Sequence, residues 1–349
     1  MPHELLLTGP RTIELAPYED IPVAPDQIRA EALVSGISHG TELALYRGVS
    51  PFAGKRFDTD LRLFVGDEAR EASPTRLGYE WVGTVREAGE AVEVLGVGEL
   101  VHLALPHRET QTVTITDEAH APWTALPRDV DLERAALLQS TTIALQAVHD
   151  ARVKLGDRVA VFGLGAFGLL AVQLARLSGA GWIAAVDPIA ARRELAREFG
   201  ADAVLDPSAC DVGREIKIAA GRTGVDAAIE LSGSYAALHQ AMRSARLAGT
   251  VVAAGFYTGA PGESIALGEE WHHNRLTLVG SMSGWGAPHR EPGWDRRRLR
   301  ATALDLLTRG AVAVDALVTH RVPFARAAEA YELIDRKPEE TIRVLLTYG

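Results

Sequence analysis

Cysteine is almost absent from this chain: Cys210 stands alone among 349 residues. That excludes an internal disulfide and any zinc site built from several thiolates. Positive charge is also in deficit, with 36 Lys and Arg against 46 Asp and Glu and a net charge of −10. Nucleic acids and anionic membrane surfaces are gripped through clustered positive charge, so neither is an expected partner. The basic cluster Arg296 to Arg298 with Arg300 reads as a solvated helix face. No apolar run suits a membrane span. Val159 to Ala175 carries no charge, but it falls short of the roughly 20 residues needed and three glycines interrupt it. Residues 1 to 20 carry Glu4, Arg11, Glu14, Glu19 and Asp20, a pattern that excludes a secretory leader there and makes the cytoplasm the expected location.

What is abundant is apolar material. Hydrophobic residues make up 47% of the chain, enough for two well-filled cores at this length. The first 125 or so residues hold short alternating segments broken by glycine and proline, such as Gln27 to Val34, Trp81 to Glu87 and Glu99 to Ala104, which predict an irregular β-rich domain. From about Ala135 the texture changes. Helical periods over Ala135 to His149 and Ala190 to Phe199 alternate with strand candidates at Ala203 to Leu205, Ala227 to Leu231, Thr250 to Ala254 and Leu276 to Gly280. Such alternation predicts an α/β, doubly wound parallel sheet. After about Gly284 the pattern shifts again, with helices over Arg298 to Arg309 and Phe324 to Asp335 and a last strand over Thr341 to Leu346. The expected organisation is a β-rich catalytic domain, residues 1–134 and 288–349, interrupted by a dinucleotide-binding domain, residues 135–287.

The stretch Arg158 to Asp187 carries the most chemistry. A β-branched run, Val159 to Phe162, leads into Gly163, Gly165 and Gly168, spaced G-x-G-x-x-G, and then into an apolar helical segment. The first glycine permits the tight turn, the second lets a pyrophosphate approach the backbone, and the third lets helix and strand pack closely. Ala166 and Phe167 complete the loop at a helix N-terminus, whose free N–H groups suit phosphate. Trp182 to Val186 reads as the next strand and ends in Asp187, where a carboxylate accepts hydrogen bonds from both ribose hydroxyls. Asp187 would repel a 2′-phosphate, so NAD is the expected cofactor, with NADP the lesser alternative because Arg192 and Arg193 follow closely. Ser232, Gly255 and Phe256 end later strand candidates and are further expected cofactor contacts. A glycine turn with no ligand is the bland alternative.

Five segments in order, GISHGTELALYRG, LGYEWVGTV, AALLQSTTIALQAV, GLGAFG and LVTHRVPFARAAEAYELI, resemble the medium-chain dehydrogenase/reductase superfamily, the group of zinc alcohol and sorbitol dehydrogenases. The wording GTELALYRG, GYE and HHNRLTLVGSMSGW is most similar to the bacteriochlorophyllide hydroxyethyl dehydrogenase-like branch. The resemblance implies a GroES-like β-rich catalytic domain with an inserted Rossmann domain. It also implies a homodimer joined through Leu276 to Gly280. The positions that match the superfamily's zinc ligands are Ser38, Tyr79 and Gln139. Hydroxyl, phenol and amide are poor zinc donors, so a member without zinc is expected, with no metal site. A shifted site using His39 and Glu80 is the alternative.

Without zinc, the reacting oxygen needs a protein hydrogen bond and its proton needs an acceptor. Tyr79, His39 and Thr41 are the candidate catalytic residues, and Glu80 is a candidate for tuning the pocket. Imidazole exchanges protons near neutral pH, which makes His39 a candidate base. Core packing is the structural alternative for both His39 and Tyr79. Trp81, Phe64, Trp271, Trp285 and Trp294 are candidate walls for a bulky, ring-containing small-molecule substrate. The leading expectation is hydride transfer between nicotinamide and a secondary alcohol or ketone. Reduction of a conjugated C=C bond, as in enone and quinone reductases, and a non-catalytic dinucleotide sensor or inactive subunit are the alternatives.

Overall fold

The computed structural model describes residues 1–67, 74–116, 121–258, 265–282 and 293–349. The chain divides into two compact units, Met1–Leu137 with Val318–Gly349, and Leu138–Leu317. The first begins with β1 (His3–Gly9), β2 (Thr12–Pro17) and β3 (Gln27–Ile37). It continues through β4 (Lys55–Asp58), β5 (Leu63–Gly66), β6 (Thr75–Arg76), β7 (Trp81–Ala88), β8 (Leu100–Leu103), β9 (Thr110–Thr114) and β10 (Trp123–Ala125). The second supplies β11 (Arg158–Phe162), β12 (Trp182–Val186), β13 (Ala203–Leu205), β14 (Val225–Glu230), β15 (Ala245–Ala253) and β16 (Thr277–Gly280). The chain then returns to the first unit as β17 (Val318–Pro323) and β18 (Arg343–Thr347).

Period-2 alternation in β3 buries Ile28, Ala30, Ala32 and Val34. Ile28, Ala30 and Ala32 pack with Trp81, Val85 and Val101 into one core of the first unit. A branched side chain such as Ile28 contributes about 1.5–3 kcal/mol when fully buried. The main sheet runs β10-β8-β7-β3-β18-β17, with β9 also on β3. The register that matters for chemistry is β18 against β3, Val344 opposite Ile37 and Thr347 opposite Val34. It brings the C-terminal segment beside Ser35 and Ile37, more than 300 residues away along the chain.

Among the described residues of the second unit, six parallel strands run β13-β12-β11-β14-β15-β16. The order reverses direction between β11 and β14, and open sheets of this kind form their crevice at that point. β11 reads as an apolar run because helices cover both faces. Helix Ala166–Leu177 is one of these, and helix Leu138–Asp150 packs against it in turn.

Two expectations differ from the structure. Helix Arg296–Thr308 falls in the second unit, so the return to the first comes at Val318 rather than 288. The reason is packing: Leu299, Ala303 and Leu307 are buried, and the helix lies against Leu138–Asp150. The same burial corrects the reading of a solvated arginine face. Arg297 and Arg298 are exposed, but Arg300 is 6% exposed. Burial, with the like charge of Arg296 beside it, lowers the Arg300 pKa to about 10.

Candidate active site

In the second unit, Phe162 ends β11 opposite Val186 of β12 and Glu230 of β14, so three loops leave one edge of the sheet together. Gly163 turns with φ +84°, and a Cβ there would lie 2.6 Å from the Ser232 backbone nitrogen. A Cβ on Gly168 would sit 1.8 Å from the Gly163 carbonyl oxygen, so this glycine is a condition of the turn closing. Gly165 differs. Among the described residues, its chain neighbours aside, no atom lies within 4 Å of where its Cβ would be, and it is the N-cap of helix Ala166–Leu177 with no side-chain cap. Open space over a glycine at an uncapped helix N-terminus fits a phosphate, so these residues pass the test for a dinucleotide.

Asp187 follows β12 and is buried. Its carboxylate accepts from the Leu164 N–H at 2.7 Å and the Ile189 N–H at 2.8 Å, which fixes it beside the glycine loop. Arg192 Nη1 lies 3.9 Å from it. Burial lowers the Arg192 pKa, and the Asp187 charge opposes that shift. Arg193 is tied back to the Asp187 carbonyl at 2.7 Å and to Asp206 at 3.1 Å.

Gly255 sits against the Gly233 backbone, its Cβ position only 2.2 Å from the Gly233 nitrogen. Sequence reasoning passed over the residue that organises these two loops. The buried Glu230 carboxylate accepts from the Ser232 hydroxyl, from the Ser232 N–H at 2.7 Å and from the Tyr257 hydroxyl at 2.5 Å. Burial raises its pKa, against the pull of those bonds. A lone carboxylate ending an apolar strand was the available signal.

In the first unit, Tyr79 and Ser38 meet: the phenol donates to Ser38 Oγ at 2.5 Å. Burial pushes the Tyr79 pKa up to about 12, with the bond to Ser38 pulling the other way. This phenol keeps its proton at neutral pH and acts as a donor. His39, half-buried, follows Ser38, and Thr41 opens the short helix Thr41–Tyr46. Behind them lie two buried networks. Glu80 faces His102 Nε2 at 3.1 Å and Arg343 Nη2 at 3.4 Å, and Arg343 also donates to the Ile37 carbonyl at 2.7 Å. Glu42 accepts from the Ser38 N–H at 2.8 Å and from the Tyr331 hydroxyl, with His107 Nε2 at 3.1 Å. Glu42, His107, His102, Arg343 and Tyr331 escaped sequence reasoning because nothing local joins them.

The aromatic candidates separate. Trp81 is fully buried with its N–H on the Arg108 carbonyl, so it is core and walls no pocket. Phe64 is exposed and stacks on Phe52 in the β4–β5 hairpin. Trp271 packs on the core of the second unit, and Trp294 lies between His149 and Arg298. Trp285 lies outside the described residues. Gln139 sits near the start of helix Leu138–Asp150, in the second unit.

A family profile described as zinc-binding dehydrogenase matches residues 166–296. D-guloside 3-dehydrogenase of Escherichia coli (strain K12) is 34% identical over 351 residues, 99% of this chain and 99% of that protein. (R,R)-butanediol dehydrogenase of Bacillus subtilis (strain 168) is 29% identical over 72% of this chain and 75% of its own length. The crystal structure of 2R,3R-butanediol dehydrogenase from Bacillus subtilis superposes with TM-score 0.81 at 25% identity, covering 100% of each chain. This chain belongs to the zinc-type alcohol-dehydrogenase-like medium-chain dehydrogenase/reductase family. It is an NAD(P)-dependent oxidoreductase with a GroES-like and a Rossmann domain. These relatives are dehydrogenases and do not favour the enone-reductase reading.

That membership corrects the expected cofactor set of NAD without zinc, because the family is one of zinc-binding dehydrogenases. The side chains at the three matching positions do not fit the ion as donors. Ser38 Oγ already accepts the Tyr79 hydrogen bond, and neutral hydroxyl, phenol and amide groups hold zinc poorly. Among the described residues one imidazole–carboxylate group, His239 with Glu269 and Glu270 in the second unit, brings its ligand atoms within 4.8 Å of one another. Glu270 there also pairs with Arg243 at 3.4 Å. Among the described residues no helix is long and apolar enough to cross a membrane.

Proposed function

We propose that this chain is a dehydrogenase of a ring-borne secondary hydroxyl, as in a sugar glycoside or cyclic polyol. The observation that carries the reading is the 34% identity, end to end, with D-guloside 3-dehydrogenase. The second unit is the dinucleotide-binding domain, with Gly163, Gly165, Ala166, Phe167 and Gly168 at the phosphates and Ser232, Gly255 and Phe256 on the neighbouring loops. Asp187 takes the ribose hydroxyls, which favours NAD over NADP, with Arg192 beside it. When bound, the dinucleotide supplies the hydride acceptor.

The chain's own residues handle the oxygen and its proton. Tyr79, holding its proton far above neutral pH, turns its single O–H from Ser38 to donate a hydrogen bond to the reacting oxygen. His39 receives the hydroxyl proton as the C–H bond breaks, the hydride leaves to the dinucleotide and the ketone forms, with Thr41 as the hydroxyl that relays the proton. Glu80, fixed by His102 and Arg343, supports the site from behind.

The test is steady-state oxidation of glycosides, cyclic polyols and acyclic alcohols with NAD+ and with NADP+. Preferred turnover of a ring substrate with NAD+ is expected. Acyclic alcohols turned over better would remove the substrate class. Tyr79→Phe and His39→Ala should each lower kcat by roughly 10² to 10⁴; near-normal turnover in both variants removes those roles.

The protein is also proposed to work as a cytoplasmic homodimer. β16 is an edge strand with exposed Leu278, and apolar edges invite pairing with a second copy. Light scattering showing a monomer at micromolar concentration would remove this claim.

A further inference from the structure

A buried carboxylate is retained only where donors surround it, and Glu42, 1% exposed, is surrounded in an informative way. One oxygen takes the Ser38 backbone N–H at 2.8 Å. The other takes the Tyr331 hydroxyl and faces His107 Nε2 at 3.1 Å. His107 continues the chain, Nδ1 lying 2.7 Å from Ser35 Oγ, and Ser35 lying 2.9 Å from the Tyr348 hydroxyl. With the His107 proton on Nε2, the donors run in one direction: Tyr348 to Ser35, Ser35 to His107, His107 to Glu42. No donor is left over.

The second half of the argument is steric. The His107 ring lies on Gly78, where an added Cβ would be 2.8 Å from its carbons and nitrogen, and Gly78 has φ +109°. The His107 backbone N–H also donates to the Leu77 carbonyl at 2.8 Å. Leu77 and Gly78 are the two residues that deliver the chain into Tyr79. So one end of the network holds Ser38 by its backbone, and the other seats the turn that aims Tyr79.

We propose that Glu42 and His107 are a positioning pair that fixes both partners of the Tyr79–Ser38 hydrogen bond. They act through Ser38 and Tyr79 and touch no reacting atom. The proposal rests on the reading of Tyr79 as the group that holds the reacting oxygen. A network that only filled the core would stabilise the fold without acting on this bond.

The experiment is a double-mutant cycle on the full chain with NAD+ and the best ring substrate of the panel above, joined to NMR of tyrosines labelled with 13C at Cζ. Glu42→Gln should lower kcat about tenfold or more and leave the KM for NAD+ within about twofold, as expected where transition-state rather than ground-state contacts are disturbed. In a Tyr79→Phe background the same substitution should change kcat by less than about twofold, since residues acting through one another are not additive. The Tyr79 resonance, identified by its loss in Tyr79→Phe, should move in Glu42→Gln. Equal losses in both backgrounds, or unchanged kcat, overturn the proposal. So does an unmoved resonance, whatever the turnover shows. Full turnover in Tyr79→Phe alone removes the role of Tyr79, and the resonance still decides the clamp. If Glu42→Gln does not fold, His107→Gln, which keeps a donor toward Glu42, enters the same cycle and the same spectra.

Discussion

The two candidate sites are built in opposite ways. In the nucleotide-binding unit the working surface is backbone: Gly163, Gly165 and Gly168 lie within six residues, and Asp187 bonds the Leu164 N–H of the same loop. In the other unit the working surface is side chain, and Ser38, Glu42, Gly78, Tyr79, His107 and Tyr331 come from segments spread over most of the chain. Backbone sites are specified by what residues lack, so they tolerate no added atom. Side-chain sites are specified by what residues reach, so they degrade one bond at a time.

The sharpest way to break that comparison is Gly168→Val. A Cβ 1.8 Å from a carbonyl oxygen has no flexible neighbour to displace, so the turn or the helix must move. The expected cost is about 3 kcal/mol, at the upper end of overpacking penalties, with loss of measurable dinucleotide binding. Calorimetric melting with NAD+ titration checks it. A variant that melts like the parent and still binds would show the loop to be more deformable than its contacts imply. Gly165→Ala should separate the two properties, keeping the melting temperature while weakening dinucleotide binding, because its Cβ enters open space.

Legibility in the sequence follows the same division. The glycine loop, its strand and helix, and Asp187 are local, and each could be read from spacing and from the φ angles that glycine permits. The Tyr79–Ser38 meeting could be anticipated only as two candidate positions. Its support could not, because Glu42 bonds His107, Tyr331 bonds Glu42, and Arg343 reaches Glu80 across long stretches of chain, the last of these from β18 lying on β3. Glu230 falls between these cases. It ends a legible strand, yet its partner Tyr257 is known only once β15 lies beside β14. The arginines of Arg296–Thr308 fail for the same reason, since the face that buries Arg300 is chosen by packing on another helix.

A middle-sized effect sharpens the backbone side. Asp187 is oriented by two N–H donors and flanked by Arg192. Asp187→Ala removes the acceptor of the ribose hydroxyls and frees the arginine toward a 2′-phosphate. The preference for NAD over NADP should relax by about 1–3 kcal/mol, the cost of a charge-assisted hydrogen bond. Titration calorimetry on both cofactors decides it, and an unchanged preference would take the selectivity away from Asp187.

The smallest effect tests the side-chain unit away from its site. Glu4 is buried on β1, accepting from Arg76 Nε at 2.7 Å and Nη2 at 3.0 Å, with Arg108 Nε at 3.5 Å. The Arg76 hydrogen bonds hold its pKa below the ordinary 4.5, against the opposing effect of burial. A lowered acid pKa means stability that is present above the unfolded value and lost as pH falls through the folded one. Arg76 is more than half exposed, so solvent screens the pair and Glu4→Gln should cost only about 1 kcal/mol at pH 7. The gap to the parent should narrow as pH falls below about 4.5, where the carboxylate of the unfolded parent begins to take up a proton, and keep narrowing until pH passes through the lowered folded value. Chemical denaturation at pH 7 and at pH 3.5 measures both ends. A gap that stays constant would mean the loss is packing rather than charge, and dinucleotide affinity altered at pH 7 would mean the two units are not separable in the way their construction implies.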